Sequence, residues 1–161
     1  MFDFLLFDLF LVILFVVGMI GVGFYIRNHL LHVWQEVSRL ELTFHKQLFE
    51  TLTRFKEDKV LLKSYACYQF IQNFNYDAQT KLRHLELNER QNLFKSLQKV
   101  YGEIYKVQDS DLYPIKKQFE TLQNCRLKYN SKVLLYNQKI HTFPVKFFAK
   151  RMRFVEKEYF A

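Results

Sequence analysis

The sequence predicts an all-α protein with an N-terminal transmembrane helix and an elongated antiparallel helical bundle. Three observations support this fold class. The first is an uncharged apolar run, Leu9–Ile26. The second is the scarcity of helix breakers after it, where glycine occurs only at Gly102 and proline only at Pro114 and Pro144. The third is the recurrence of apolar residues at intervals of three and four, the spacing of a helix with one buried face.

The apolar run is long enough to cross a bilayer. Residues 4–7 extend it across the single Asp8 to give a candidate span, Phe4–Ile26. A hydrocarbon core requires about 20 residues of helix, and backbone groups inside lipid must pair within the segment. A cleaved signal peptide is disfavoured, because its apolar centre has roughly 7–15 residues and follows a basic flank. Here the flank holds Asp3 and Asp8 and no basic residue, so we predict a retained anchor.

Basic residues predict the orientation of the anchor. Lys and Arg accumulate on the cytoplasmic side of a membrane helix. None precedes the span, whereas Arg27 and Arg39 follow it. We therefore expect a single-pass protein of the cell membrane with residues 1–3 outside, residues 4–26 in the bilayer and residues 27–161 in the cytoplasm.

Charge and cysteine content restrict the partners. The chain carries 24 Lys and Arg against 16 Asp and Glu, a net charge of +8. A basic domain beside a membrane favours anionic lipid headgroups, and acidic proteins are an alternative. Nucleic acid is disfavoured because the anchor already accounts for the positive charge. Cys67 and Cys125 have neither zinc-site nor redox-motif spacing, so we expect reduced, packed thiols.

The cytoplasmic chain divides into predicted helices. The first continues the anchor without a stop signal, and its apolar stripe is Trp34, Val37, Phe44, Leu48, Leu52 and Phe55. A shorter helix covers Leu61–Ile71. Short polar residues then provide a turn and caps, namely Asn73, Asn75, Asp77 and Thr80.

Two longer helices follow. Apolar residues from Leu82 to Val107 predict one of them. Asp111 is the expected N-cap of the other, which places Pro114 in the first turn, where its missing N–H is not needed. Its stripe, Ile115–Phe143, approaches a heptad repeat of the coiled-coil type. Pro144 is expected to stop or kink it.

Residues 122–161 carry a family resemblance. The pattern consists of Leu122, Arg126, Tyr129, Asn130, Val133, Tyr136, Asn137, Ile140, Phe143, Pro144, Ala149, Phe154, Tyr159 and Phe160. It resembles the LemA family, whose members show a doubled Tyr-Asn, a Phe-Pro, an Ala, a Gly-Phe pair and a terminal Phe-Phe-Glu. Departures are Cys125 for Ala, Glu50 for a usual Pro, Lys150 and Arg153 for Gly, and Ala161 for Glu. The resemblance implies a bacterial, membrane-anchored helical bundle that faces the cytoplasm and has no catalytic residues to carry over.

The same residues have a structural interpretation. Tyr129 and Tyr136 lie seven apart on the buried stripe, and Asn130 and Asn137 follow each of them. We expect them to specify helix packing, with the Asn side chains bonding to a neighbouring helix or capping a backbone group. For Arg126 two alternatives remain open: its stem extends outward to solvent while Cys125 points inward, or it pairs with a carboxylate, Glu86 or Glu89.

Candidates for chemistry are few. A di-iron bundle requires two Glu-x-x-His motifs, and the sequence has none. His29, His32 and Glu36 share one helix face at a spacing that a metal could use, but no ligand on a second helix accompanies them. The sequence therefore predicts no enzyme, no metal and no cofactor.

The segment 144–161 mixes aromatic with basic residues. Its candidate lipid contacts are Lys146, Lys150, Arg151, Arg153 and Lys157. Such a mixture is typical of an amphipathic helix lying on anionic lipid, and the alternative is a short helix folded over the end of the bundle. The overall expectation is a membrane-bound scaffold that contacts itself or other membrane proteins, with lipid organisation by this segment as the alternative function.

Overall fold

The computed structural model describes residues 2–65, 68–72 and 86–160, and every regular element in these ranges is helical. The predicted all-α class is therefore confirmed. The elements are α1 (Phe2–Glu57), α2 (Lys59–Leu62), α3 (Gln69–Gln72), α4 (Leu87–Tyr105), a 3-10 turn (Ser110–Leu112), α5 (Tyr113–His141) and α6 (Val145–Arg151). Residues 154–160, named the tail here, have no regular secondary structure.

The chain forms two compact units. The first contains Met1–Val37 and Lys132–Glu158, and the second contains Ser38–Ser131 and Tyr159–Ala161. Helices α1 and α5 contribute to both units. The continuation of the apolar helix beyond Ile26, which the missing stop signal predicts, is confirmed because α1 has no break before Glu57.

The first unit packs α1 antiparallel to the end of α5. Lys132 Nζ lies 2.9 Å from Glu36 Oε1, and Lys139 Nζ lies 2.9 Å from His29 Nε2. Residues further along α5 thus contact residues nearer the start of α1, as in an antiparallel pair. Apolar residues at helical spacing on both helices form the buried interior: Ile26, Leu30, Val33, Val37, Val133, Tyr136 and Ile140.

The second unit is a bundle of α1, α4 and α5. Phe44 and Phe55 of α1 pack against Tyr129 and Phe119 of α5, respectively, so these helices are antiparallel. Helix α5 is also antiparallel to α4, because Arg126 contacts Phe94 whereas Lys116 bonds to the carbonyl of Val107. The core consists of Phe44, Leu48, Leu52, Phe55, Leu93, Phe94, Leu97, Val100, Ile104, Ile115, Phe119 and Leu122, all 1% exposed or less.

Acidic side chains cap the first turn of two of the elements. Helix α4 begins with a capping box, in which Glu86 accepts from the N3 backbone and the Glu89 side chain accepts from the Glu86 N–H. The prediction of Asp111 as N-cap is wrong. Asp109 takes that role instead, accepting from the Asp111 N–H at 2.9 Å at the 3-10 turn that precedes α5.

The predicted helix over Leu61–Ile71 is also wrong as one element. Helix α2 ends at Leu62 and α3 begins only at Gln69. Several other predicted positions lie outside the described residues: Cys67, Asn73, Asn75, Asp77, Thr80, Leu82 and Leu85.

Candidate membrane contact site

Helix α1 changes character at Ile26. Between Phe7 and Tyr25 every side chain is exposed, apart from the half-buried position of Gly23. Phe15 is 69% exposed and Tyr25 is 73% exposed, although both are large aromatic residues. Among the described residues α1 is the one helix long and apolar enough to cross a membrane, and only 6% of its most apolar window is buried. The same helix thus has an uncovered apolar half and an amphipathic half.

Helix α6 packs on α1 at a glycine. A Cβ atom at Gly23 would lie 3.2 Å from Cε1 of Phe148, which is tighter than ordinary van der Waals contact. Gly23 therefore allows the Phe148 ring to approach the helix backbone closely. Ala149, the next residue on α6, is 2% exposed.

An apolar groove of about 450 Å³ runs along α1 beside this contact. It is lined by Phe15, Val16, Met19, Ile20, Gly23, Phe24 and Arg27 of α1 together with Phe148 and Met152. Arg27 supplies the one charged side chain of this lining. The groove is named the α1/α6 groove below.

The C-terminal end of α6 carries a basic hollow of about 590 Å³, lined by Phe147, Lys150, Arg151 and Arg153. Phe147 is 68% exposed. The helix ends in a Schellman motif, because the Phe154 N–H donates to the Ala149 carbonyl at 3.0 Å and the Arg153 N–H donates to the Lys150 carbonyl at 3.3 Å. Arg153 occupies the left-handed position of this motif, with φ 60.

Within the segment 144–161 the helix is short, covering Val145–Arg151, and residues 154–160 have no regular secondary structure. Of the two alternatives, this length agrees with the short helix, whereas contact with lipid stays a prediction. Left-handed backbone at Arg153 redirects the chain, and the residues that follow are held by side chains of α5. Hydrogen bonds between side chains of α5 and the backbone of the tail join residues that are distant in sequence, so the local pattern of aromatic and basic residues does not predict them.

In the first unit, α5 holds the tail through Tyr136 and Asn137. The Tyr136 hydroxyl donates to the Val155 carbonyl at 2.9 Å. Asn137 bonds Lys157 twice, donating from Nδ2 to the carbonyl at 2.9 Å and accepting at Oδ1 from the N–H at 3.0 Å. Burial raises the pKa of Tyr136, which keeps its hydroxyl protonated as a donor.

In the second unit, Asn130 repeats this arrangement with Phe160. Its Nδ2 donates to the Phe160 carbonyl at 2.7 Å, and its Oδ1 accepts from the Phe160 N–H at 2.9 Å. The Phe160 ring is 2% exposed and lies edge-on to Phe44 and Phe94, with centroids 4.4 and 5.8 Å away. Both Asn side chains thus bond to backbone in the tail, which is the second of the two roles predicted for them, and within the described ranges neither bonds to another helix.

The remaining family-pattern residues have varied surroundings. Tyr129 is buried beside Phe44. The Arg126 guanidinium lies 4.9 Å from the Phe94 ring centroid, and its buried Nε has no hydrogen-bond partner. Arg126 forms no ion pair with Glu86 or Glu89, which argues against the carboxylate-paired alternative, and its half-buried position is compatible with a stem that runs outward. Phe143 is 86% exposed and lies beyond α5, which corrects its predicted place on the buried stripe. Pro144 is the N-cap residue of α6.

The five candidate lipid-contact residues also differ from one another. Lys146, Lys150, Arg151 and Arg153 are exposed. Lys157 is half-buried, with Nζ 5.5 Å from the centroid of the Trp34 ring. It therefore belongs to the tail attachment in the first unit rather than to the basic hollow.

The predicted chemistry candidates are occupied by protein contacts. His29 bonds to Lys139 and Glu36 pairs with Lys132, while His32 is exposed. In the second unit the Arg90 guanidinium contacts His45 and lies 4.0 Å from Glu41. Within the described ranges no three His, Cys, Asp or Glu residues are grouped so that they could hold a metal ion.

Two further groups titrate outside their ordinary range. Burial and the neighbouring Glu120 carboxylate, which accepts from the hydroxyl at 3.2 Å, raise the pKa of Tyr101 to about 12. Burial also raises the pKa of the Cys125 thiol, which keeps it protonated and unreactive at neutral pH. Both groups belong to the second unit.

No protein-family model, no curated protein and no solved structure matches this chain.

Sequence reasoning misses the α1/α6 groove altogether. Its walls come from residues more than a hundred positions apart, which no local periodicity brings together. A weak signal was present at Gly23, because a glycine that is otherwise unfavourable in a helix often marks a close approach of another element.

Proposed function

We propose that this protein is a single-pass membrane-anchored helical scaffold or interaction protein without catalytic activity of its own. Residues 4–26 span the cell membrane with the N-terminus outside, and residues 27–161 form the cytoplasmic part. The observation that carries the proposal is the exposure of every large apolar side chain between Phe7 and Tyr25. Soluble monomers rarely expose a contiguous apolar surface of this size, whereas lipid covers it at no cost.

The exposure distinguishes a span from a core helix, which would bury such side chains. A signal sequence also has this length and composition, but it is not packed into the folded part of the protein. Helix α1 continues from the apolar stretch into residues whose side chains are fully buried, such as Leu30 and Val37. Cleavage near Ile26 would remove the segment that continues directly into this packed helix.

The LemA resemblance supports the same proposal. The left-handed Arg153 stands where that family has glycine, the residue that such a backbone favours. Within the doubled Tyr-Asn, the side chains of Tyr136, Asn137 and Asn130 bond to the backbone of tail residues 155, 157 and 160, respectively. We propose that this pattern serves to attach the tail.

Insertion is tested with two matched double variants. Leu14→Lys with Val17→Lys places two cations in the proposed span, and Leu42→Lys with Leu127→Lys places two cations at other exposed apolar positions. Leu14 and Leu42 are 59% and 47% exposed on the same helix. Lysine at the centre of a membrane helix costs about 3 kcal/mol of insertion free energy. We expect only the first double variant to be lost from the carbonate-resistant membrane fraction. Equal distribution of both double variants would overturn the proposal.

A second candidate function is the organisation of anionic lipid by α6. The specific observation is the basic hollow with the exposed rings of Phe147 and Phe143, the latter 86% exposed. Aromatic residues and cations together favour the headgroup region of an anionic bilayer. The test reconstitutes the full chain in vesicles that contain fluorescent phosphatidylglycerol and images the distribution of this lipid. Clustering of fluorescent phosphatidylglycerol around the parent protein, abolished by Lys150→Gln with Arg151→Gln and retained by Lys128→Gln with Lys132→Gln, is the expected result.

A further inference from the structure

The α1/α6 groove has the depth of one bilayer leaflet. Its lining on α1 runs from Phe15 to Arg27, which corresponds to about 18 Å of helix. One leaflet of hydrocarbon is about 15 Å thick. Phe15 is also the midpoint of the proposed span, Phe4–Ile26. In the proposed span, the α1 side of the groove therefore runs from the centre of the bilayer to its cytoplasmic boundary, and Phe148 meets it near that boundary, at Gly23.

The lining is apolar along this depth and charged at one end. If residues 4–26 span the bilayer as proposed, Val16, Met19 and Ile20 of the lining lie within the hydrocarbon region and Arg27 lies at its boundary. Arg27 is exposed and makes no ion pair with any residue that the structure describes. A guanidinium at this depth coincides with the phosphate level of a phospholipid, and guanidinium groups match phosphate oxygens in geometry.

The wall of the groove that faces α1 is formed by protein side chains and not by lipid. Phe148 is held against Gly23, and Met152 follows it by one turn of α6. A volume of about 450 Å³ is within the range, roughly 300–1,000 Å³, of sites that bind small molecules. A wall that is built by protein distinguishes this groove from the remainder of the apolar helix, which any lipid covers without selection.

We propose that the α1/α6 groove binds one anionic phospholipid, with an acyl chain along α1 and the phosphodiester at Arg27. The proposal rests on the membrane anchoring proposed above and specifies the lipid contact. The bound lipid is selected by charge at Arg27 and retained by the apolar wall at Phe148. Exposed cations of α6, such as Lys150, add to the positive potential at the same side of the membrane.

Native mass spectrometry of the detergent-extracted full chain tests this site. The protein is titrated with phosphatidylglycerol and with phosphatidylcholine of identical acyl chains. Two matched pairs of variants are compared: Arg27→Gln with Arg39→Gln, and Phe148→Ala with Phe10→Ala. Arg39 and Phe10 are exposed residues of α1 that do not line the groove. A third arm adds soluble glycerol phosphate in excess, which shares the phosphate but has no acyl chain.

We expect saturable binding of one phosphatidylglycerol per chain and several-fold weaker binding of phosphatidylcholine. Arg27→Gln should weaken phosphatidylglycerol binding about tenfold, because it removes a charge-assisted contact. Phe148→Ala should weaken the binding of both lipids. The two control variants should bind as the parent does, and glycerol phosphate should not displace the lipid.

Three results would overturn the site: equal, non-saturating binding of the two lipids, equal effects within either matched pair, or displacement by glycerol phosphate. Carbonate extraction of the same variants from membranes separates this failure from failure of the anchor. A chain that resists extraction but shows no saturable lipid binding contradicts the site alone. A chain that is extracted contradicts the membrane anchoring as well.

Discussion

Asn130 and Asn137 show how a single side chain can satisfy both backbone groups of another residue. Each amide donates to a carbonyl and accepts from the N–H of one tail residue, Phe160 and Lys157 respectively. Backbone groups that lie against a packed helix without a partner are costly, since they lose their bonds to water. An asparagine amide has the donor and the acceptor that such a peptide unit requires. The Asn side chains thus replace the ladder that a neighbouring strand would supply.

Replacing Asn130 by alanine tests this account at the residue scale. Two hydrogen bonds to Phe160 are lost and its backbone groups are left unpaired, so we expect a loss of about 1–3 kcal/mol in the free energy of unfolding. Asn124→Ala is the matched control, because Asn124 is exposed on the same helix. Thermal unfolding of the detergent-extracted full chain measures both. Equal stability of the two variants would contradict the role assigned to Asn130.

At the scale of elements, one Asn of α5 bonds to the tail in each unit. The two Asn residues are seven positions apart on α5, and their partners are three positions apart in the tail. The order is reversed along the sequence, since Asn137 bonds Lys157 and Asn130 bonds Phe160. Within each unit the same side chain type therefore pairs with both backbone groups of one tail residue.

At the end of α6, glycine substitutions at two neighbouring basic positions are expected to change the stability in opposite directions. Arg153→Gly relieves the left-handed strain that a side chain causes at φ 60, so we expect stabilisation by about 0.5–1 kcal/mol. Lys150→Gly removes an equal charge from the helix itself and should destabilise by about 0.5–1 kcal/mol. Thermal unfolding compares the two variants, and a shift in the same direction for both would refute the helix termination described here.

The elements also show what the sequence can and cannot predict. The stripes Phe44–Phe55 and Ile115–Tyr136 follow from periodicity alone, because burial of one helix face is a local property of the pattern. Three interpretations fail, and the last of them fails for a non-local reason. Asp109 rather than Asp111 accepts the capping bond, since a 3-10 turn precedes α5. The helix expected over Leu61–Ile71 is interrupted after Leu62. The tail leaves the helical path because distant Asn side chains bind it.

The candidate site is less predictable than the fold. The apolar span and the cations of the C-terminal segment are visible in the sequence. The α1/α6 groove is not, because it depends on the contact of Phe148 with Gly23. The doubled Tyr-Asn is conspicuous in the sequence, but its partner can be identified only when the tail is placed beside α5.

At the scale of the whole molecule, charge is distributed unevenly along the chain. All 24 Lys and Arg residues follow the apolar stretch, and Asp3 and Asp8 are the only charged side chains before it. This asymmetry underlies the proposed orientation, because basic residues near a span remain in the cytoplasm. It also gives residues 27–161, the part proposed to face the anionic leaflet, a net charge of +10, from 24 basic and 14 acidic residues.

Reversing the N-terminal charges tests the orientation. Asp3→Lys with Asp8→Lys places two cations before the span and weakens the asymmetry. We expect a measurable fraction of this variant to invert, detected by protease digestion of a C-terminal epitope in right-side-out vesicles. Asp109→Lys with Asp111→Lys adds the same charge far from the span. Its epitope should stay protected, as in the parent. An exposed epitope in the parent protein would contradict the orientation directly.

The contact between Phe44 and Phe160 has a consequence for biosynthesis. These rings meet at 4.4 Å although they lie more than a hundred residues apart in the chain. At roughly 5–20 residues per second, translation needs about 5–20 s to pass from one to the other. The apolar N-terminal helix has left the ribosome well before the second ring exists. For a chain anchored as proposed, the apolar helix would reach the insertion machinery while the aromatic core of the second unit is still open, so insertion would precede closure of that core.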